Sequence, residues 1–557
     1  MRKLLAVLAI AATASANEQS FRSLQSGWKS AATPLSDRGL NGAGQIIAVL
    51  DTGVDVDSCY FAETDGSKPP FNTGTPSGGL GWTNVNLSRR KIIAYDFLYS
   101  CDQFPTAQGC ENPNSPSAFD NTGHGTHNAA TLAGDREPFG EHGYQDALAS
   151  AAKLIVQDAG FTGGDNCSQR PGIGCPVNLI PILDQAYKQG ARIHSNSWGD
   201  RQNTPPSPFI PTPTANYSTS SRDVDAFVYA HPDMLVVFNT GNYLTTAEIP
   251  TTAPPAMSVA APGSAKNTLQ VGGVRPPNRD DDVISYNTLF GPSRDGRIKP
   301  DVVGPSTVTA GDYDFGTNTP NCNVSMVGPG TSWASPTVAG AAALVRQYYT
   351  EGFYPSGARK AADAIAPSAA LLKATIIAAA RAVPSRMTNL GDVAAKPVPS
   401  NEQGFGFPVL DDALYFAGDR AKLRLSDVPA IQGLAEGQTA VLNVNANSGT
   451  PLKFVLVWTD PAGVVRGVSD PTPELVNDLD LRVVSPAGAV LYPNGGAQAD
   501  RLNNVEVISV PQPLTGAYTV TVSATRLGSG ARQGYALVMT GDFVNALGGR
   551  TRAVRAH

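Results

Sequence analysis

The sequence predicts an α/β domain built on a parallel sheet, followed by an all-β domain of the sandwich or jelly-roll kind. Two patterns carry this prediction. From about residue 40 to 415, short apolar runs alternate with stretches of helical period, as in a parallel sheet covered on both faces. Beyond about residue 420 the helical period disappears, and short strand-like runs separated by Gly, Pro and Asn take over. Composition is the third observation: 41% of the 557 residues are hydrophobic and 16% charged, below the ~25% charged residues of an average soluble domain. Such a chain buries enough apolar surface to offset its conformational entropy, which excludes a disordered protein. With 41 Lys+Arg against 47 Asp+Glu the net charge is −6, so neither nucleic acid nor a membrane is an expected partner.

In chain order, Arg2 and Lys3 precede the apolar run 4–12 and the small residues Ala14-Ser15-Ala16. These are the parts of a secretory signal, and the run is too short to span a bilayer. Residues 1–16 are therefore expected to be removed, the mature chain to begin near Asn17, and the protein to be secreted and extracellular. Residues 17–39 form a short N-terminal segment. The run 46–50 reads as a buried strand stopping at Asp51, and 154–156 as another. Leu179, Ile182, Leu183 and Ala186 recur at helical spacing, with Gly190 placed to end that helix. Arg192-Ile193-His194-Ser195 reads as a strand entering Ser197-Trp198-Gly199. Val224, Phe227 and Val228 indicate a helix ahead of the apolar run 234–238. Ser368 is a good N-cap for an Ala-rich helix reaching Arg381. Ligands of open α/β sheets bind beyond the carboxyl ends of the strands, so Asp51, Ser197 and Asn242 should gather on one edge.

The later strand candidates are 423–428, 439–446, 452–459, 478–484, 505–510, 517–524 and 535–540. Tyr518, Val520 and Val522 alternate with Thr519, Thr521 and Ser523, the pattern of a half-buried antiparallel strand. The expected organisation is an α/β domain over 40–418, a β domain over 419–545 and a flexible tail over 546–557. The even set Cys59, Cys101, Cys110, Cys167, Cys175 and Cys322 fits an oxidising compartment. Proximity alone suggests Cys101–Cys110 and Cys167–Cys175, leaving Cys59 to pair with Cys322. Asn86, Asn166, Asn216 and Asn323 sit in glycosylation triplets.

Three segments carry chemistry: Leu50-Asp51-Thr52-Gly53, Gly123-His124-Gly125-Thr126-His127, and Gly330-Thr331-Ser332-Trp333-Ala334-Ser335-Pro336. Each sets a reactive side chain among small residues that let other backbone approach. A serine hydroxyl needs an adjacent base, and the base needs a group that fixes its tautomer and stabilises its charged form. Asp, His and Ser, in that order, supply these parts. Ser332 also opens a small-residue helix whose backbone N–H groups can face developing negative charge.

Together these segments resemble the subtilisin family of serine endopeptidases. The stretches Ala191 to Gly199, Asp295 to Asp301, Val476 to Leu481 and Asn503 to Glu506 are similar to the large alkaline, oxidatively stable bacterial subgroup, which carries a C-terminal jelly-roll domain. The resemblance implies Ser332 as nucleophile, His124 as base, Asp51 as its orienting acid and Asn242 as oxyanion-hole donor. It implies that Ser197, Trp198 and Gly199 bind extended substrate, and that His127 is structural. It implies protein or peptide substrates, a monomer, and chemistry that requires no cofactor. Trp333 stands where the family usually has Met, which removes one route of oxidative inactivation and places a bulky ring beside the nucleophile. Asn128-Ala129-Ala130, Asn239 to Tyr243 and Ser285-Tyr286 also depart from the family pattern.

Other readings of these residues are weaker. A second D-[TS]-G, required of an aspartic protease, and the G-x-S-x-G of an α/β-hydrolase are both missing. The reading from a different class is a catalytically inactive homologue acting as an extracellular binding or adhesion module, which the complete set Asp51, His124, Asn242 and Ser332 disfavours. Structural calcium is a further expectation: Asn477, Asp478 and Asp480 cluster oxygen donors, as a turn of solvated Asx residues also would, so no definite ligands are assigned.

Overall fold

The apolar runs become the middle of an 11-stranded, mostly parallel sheet. The computed structural model describes residues 16–27, 30, 32–73, 84–98, 120, 122–143, 145–159, 178–199, 215–243, 254–275, 283–314, 320–388, 391–467 and 469–544. Up to the end of the sheet they form α1 (Ala16–Ser26), β1 (Ile46–Asp51), β2 (Phe71–Asn72), β3 (Ile92–Phe97), α2 (His124–Ala133), β4 (Lys153–Asp158), α3 (Leu179–Lys188), β5 (Ile193–Asn196), α4 (Thr219–Ala230), β6 (Leu235–Asn239), β7 (Leu269–Arg275), β8 (Val283–Ile284), β9 (Val302–Pro305), β10 (Val308–Gly311), β11 (Val324–Val327), α5 (Thr331–Thr350), α6 (Ala369–Ala378), β12 (Ala380–Arg381), β13 (Ser385–Thr388), β14 (Gly391–Ala394) and β15 (Phe407–Pro408). The sheet order is β14-β13-β8-β7-β6-β5-β1-β4-β3-β2, with β9 beside β7. Antiparallel pairs enter only towards one edge, at β7–β8 and β13–β14.

Strands β3, β5 and β6 are buried at every position, as covering both faces of a sheet requires. Strand β1 lies between β5 and β4 with Leu50 opposite Asn196 and Asp51 opposite Asp158, so the carboxyl ends of three strands meet on one edge. Helices α2 and α5 pack on each other and on this sheet, α2 over β1 and β4, α5 over β5, β6, β7 and β9. Helix α3 ends ahead of Gly190, whose φ of +109° suits a residue without Cβ. Ser368 caps α6, accepting from Leu371 N at 3.0 Å. That helix stops at Ala378 and does not reach Arg381, because Ala380 and Arg381 pair with Pro408 and Phe407 instead.

The C-terminal part contains β16 (Lys422–Val428), β17 (Thr439–Ala446), β18 (Leu452–Val457), β19 (Asn477–Val484), β20 (Val490–Leu491), β21 (Val505–Val510), β22 (Gly516–Leu527) and β23 (Tyr535–Gly541). They form two four-stranded sheets, β16-β23-β18-β21 and β17-β22-β19-β20. Phe454, Leu456, Trp458, Leu481, Tyr518, Val520 and Leu537 fill a core of their own. The alternate residues Val455, Val457, Ala536 and Val538 belong instead to the core of the α/β part. Helix α6 packs against β18 and β23 as well as α5 and β6, and all ten of its residues are buried. A helix buried on every side, with its one charge, Lys373, paired to Asp301, is explained by a position between two layers.

Cys59 and Cys322 form a disulfide. The expected pairs Cys101–Cys110 and Cys167–Cys175, Asn166, the signal up to residue 15 and the tail lie outside the described residues. Among the described residues no helix is long and apolar enough to cross a membrane.

Candidate active site

Asp51 ends β1, Ser197 follows β5 and Asn242 lies just past β6, so three neighbouring strands deliver them to one edge. The buried Asp51 carboxylate accepts from Thr52 N at 2.8 Å and from Asn128 Nδ2 at 3.1 Å. His124 Nδ1 lies 2.6 Å from Asp51 Oδ1. His124 is the first residue of α2, after Gly123 at φ +73°. A Cβ at Gly125 would come within 2.0 Å of the Gly53 carbonyl, so only glycine lets this helix close on the end of β1. Burial disfavours the charged imidazole, but the Asp51 carboxylate and its hydrogen bond, helped by Asp120, outweigh it, and the His124 pKa is raised above its ordinary 6.5. The ring remains 32% exposed, within reach of a substrate.

Ser332 is the second residue of α5, and in the first turn of a helix its N–H has no intrahelical acceptor. Its hydroxyl donates to Ser197 O at 3.1 Å, with Asn239 Nδ2 3.5 Å from the same Oγ. The hydroxyl is thus turned to the β5 side and not to His124. Ser197 answers with its own Oγ, donating to Ser332 O at 2.7 Å. Trp198 is buried edge-on against Phe238, and half-buried Gly199 lies so close to Ala260 that a Cβ there would sit 2.8 Å from the Ala260 Cβ. Asn242 Oδ1 accepts from Thr331 N at 2.8 Å and Thr331 Oγ1 at 2.9 Å. This fixes the amide with its nitrogen end free of any acceptor among the described residues. His127 is buried, its Nε2 3.2 Å from Ser325 O, and burial pushes its pKa down to about 4.

Sequence reasoning missed several groups here. Asn128 reaches both Asp51 and, at 3.1 Å, His124 Nδ1, and its position four residues after His124 on one helix was the available signal. Asp120 receives Thr52, Thr122, Gly123 and Thr126. Asn239 at the nucleophile has no comparable signal.

The candidate calcium residues have partners within the protein, although Asp478 Oδ1 is buried without one among the described residues. Asn477 donates to Ser529 O and Gln533 Oε1, while Arg501 bridges Asp478 and Asp480, one positive charge against two carboxylates. Among the described residues, Asp135, His142 and Asp146 bring metal-donor atoms within 4.8 Å of one another. Hydrogen bonds to Asp135 and Asp146 push the His142 pKa up to about 10, so a metal there would have to displace a proton from the ring.

Residues 42–406 match the Peptidase_S8 description, the subtilase family. The Serine protease/ABC transporter B family protein tagA of Dictyostelium discoideum is 24% identical over 620 residues, covering 92% of this chain and 31% of its own length. The chain therefore spans about a third of the length of that curated relative. Subtilisin BL of Lederbergia lenta is 26% identical over 311 residues, 56% of this chain and 79% of its own. The crystal structure of the serine protease of Aeromonas sobria is 14% identical with a TM-score of 0.40, covering 94% of this chain and 95% of that one.

Proposed function

The chain belongs to the subtilase family of serine peptidases, and from that premise we propose that it is a secreted serine endopeptidase cleaving proteins through an acyl-enzyme. The observation that supports this most is the Asp51–His124 pair, closed at 2.6 Å beside the helix start that carries Ser332. Rotation about its χ1 turns the Ser332 hydroxyl from Ser197 O to His124 Nε2, a tightening that substrate-free sites often await. Oγ then attacks the scissile carbonyl carbon while its proton passes to His124 Nε2. Asp51 stabilises the imidazolium and stays ionised. The oxyanion is held by the Ser332 N–H and the Asn242 amide nitrogen, whose orientation the Thr331 anchors support. Collapse breaks the C–N bond, and His124 returns the proton to the leaving amine. Water, deprotonated by His124, cleaves the ester and regenerates Ser332. Extended substrate lies along Ser197, Trp198 and Gly199 as an added strand.

Secretion is supported by the leader-like start and by a disulfide joining residues 263 apart in sequence. Two treatments test the assignment: Ser332→Ala, and a sulfonyl fluoride followed by peptide mapping. Both are expected to abolish casein hydrolysis, with the label on Ser332. Full activity after either, or a folded wild-type chain that neither hydrolyses nor labels, refutes the reading; the second result favours a binding module.

A further inference from the structure

We infer that Trp333 is a positioning residue for the base, its indole fixing the His124 ring and favouring the imidazolium form over the neutral one. This rests on the peptidase reading above. Trp333 follows Ser332 in the first turn of α5, where its N–H donates to Gly330 O at 3.1 Å. The side chain turns back towards α2, with ring centroids 5.1 Å from His124 at 45° and 4.8 Å from His127 at 62°. Room for the ring comes from Gly330: a Cβ there would lie 2.8 Å from Trp333 Nε1. The indole is therefore lodged between two histidines by its own backbone and by a missing side chain.

Trp is the aromatic side chain that best attracts a cation within about 6 Å of its ring. In the proposed reaction a cation forms on His124 in every turnover. His127, on the other side of the indole, is not a competing cation, because burial keeps it neutral and its Nδ1 is buried without a partner. The charged and titratable groups acting on His124 are Asp51 from β1, Asp120 ahead of α2 and His127 on α2, while Asp312 after β10 acts on His127. Both carboxylates favour the imidazolium as well, so the indole adds to a bias they already set.

Favouring the imidazolium has two consequences of opposite sense. It stabilises the transition state, in which the proton has reached His124, and so raises kcat. It also makes the resting base harder to deprotonate, and so moves the acid limb of kcat/KM to higher pH. Removing the ring reverses both.

The test compares Trp333→Leu and Trp333→Phe with the wild-type chain. For W333L the plateau kcat is expected to fall between about twofold and thirtyfold with KM little changed. Its acid limb is expected to move down by the matching amount, about 0.3–1.5 pH units. The same displacement is expected when His124 is titrated by NMR in histidine-labelled protein made inactive by Ser332→Ala. W333F should lie between, and it decides the matter alone if W333L does not fold. A limb and an NMR titration that stay put, or a change confined to KM, overturn the inference and leave the ring a filler of the leaving-group side. An unlabelled, inactive wild type defeats the peptidase reading instead, so the two failures are told apart.

Discussion

Asn242 is anchored at one end and free at the other, which is what a donor aimed at a transient charge requires. Thr331 holds its oxygen, and the nitrogen meets no acceptor among the described residues. Asn242→Ala is expected to lower kcat by about the 10²–10³-fold recorded for such a donor in subtilisin, with KM little changed, in steady-state assays on a peptide substrate. A loss in KM alone would make Asn242 a binding residue. Such single residues were legible where a reactive side chain sat in a short run of constrained neighbours, as with Asp51, His124 and Ser332. They were illegible where the role depends on what lies opposite in space. Asn128 looked like a departure from a family pattern until its amide was found on Asp51. Trp333 was legible as a bulky neighbour of the nucleophile, but not as a contact of two histidines.

At the scale of elements, the site depends on how the start of α2 is held against the end of β1, and Asp120 is the clamp. Its buried carboxylate takes Thr52 Oγ1 at 3.1 Å from the β1 side, and Thr122 N, Gly123 N and Thr126 N at 2.9–3.0 Å from the helix start. Burial, only partly offset by the Thr126 bonds, pushes the Asp120 pKa up to about 6. Above that pH it carries a charge that helps raise the His124 pKa. Asp120→Asn places an N–H2 among donors and removes this charge. Tm should drop, reflecting about 1–3 kcal/mol for each buried group left unpaired. The sign of the pH effect follows from linkage: without the negative charge the imidazolium is less favoured, so the acid limb of kcat/KM should move to lower pH. A limb that moved to higher pH would show that Asp120 does not act on the base electrostatically. The strands bracketing this clamp were readable from their apolar runs and turn residues. The end of α6 was not, because an antiparallel pairing with Phe407 and Pro408 overrides the local helix propensity of Ala380 and Arg381.

For the whole molecule, the question is what makes two lobes one body, and here the sequence carried little information. A lysine reads as a solvated charge. Lys266 nevertheless sits fully buried between the lobes, paired with the equally buried Asp460, and donates to Pro461 O at 2.6 Å and Glu474 O at 2.8 Å. Asp460 in turn caps the approach to β19, receiving Val476 N at 2.9 Å and Asn477 N at 2.7 Å. The partners are 194 residues apart, so neither local period nor composition points to them. The Coulomb gain of such a pair is largely consumed by desolvation, but removing one member strands the other as a buried charge. Lys266→Met is therefore expected to destabilise the protein by about 3–5 kcal/mol. Calorimetry should show it as a lower Tm, or as one transition splitting into two if the sandwich loosens from the α/β lobe first. Lys266→Met combined with Asp460→Asn should recover part of the loss, since no charge is then left unpaired and the amide oxygen still accepts an N–H at the approach to β19. Recovery would show that the apolar contacts of α6 with β18 and β23 hold the lobes and that the ion pair only tolerates its burial; a double variant as unstable as the single one would place the loss in the hydrogen bonds of Lys266 and Asp460 and not in a stranded charge.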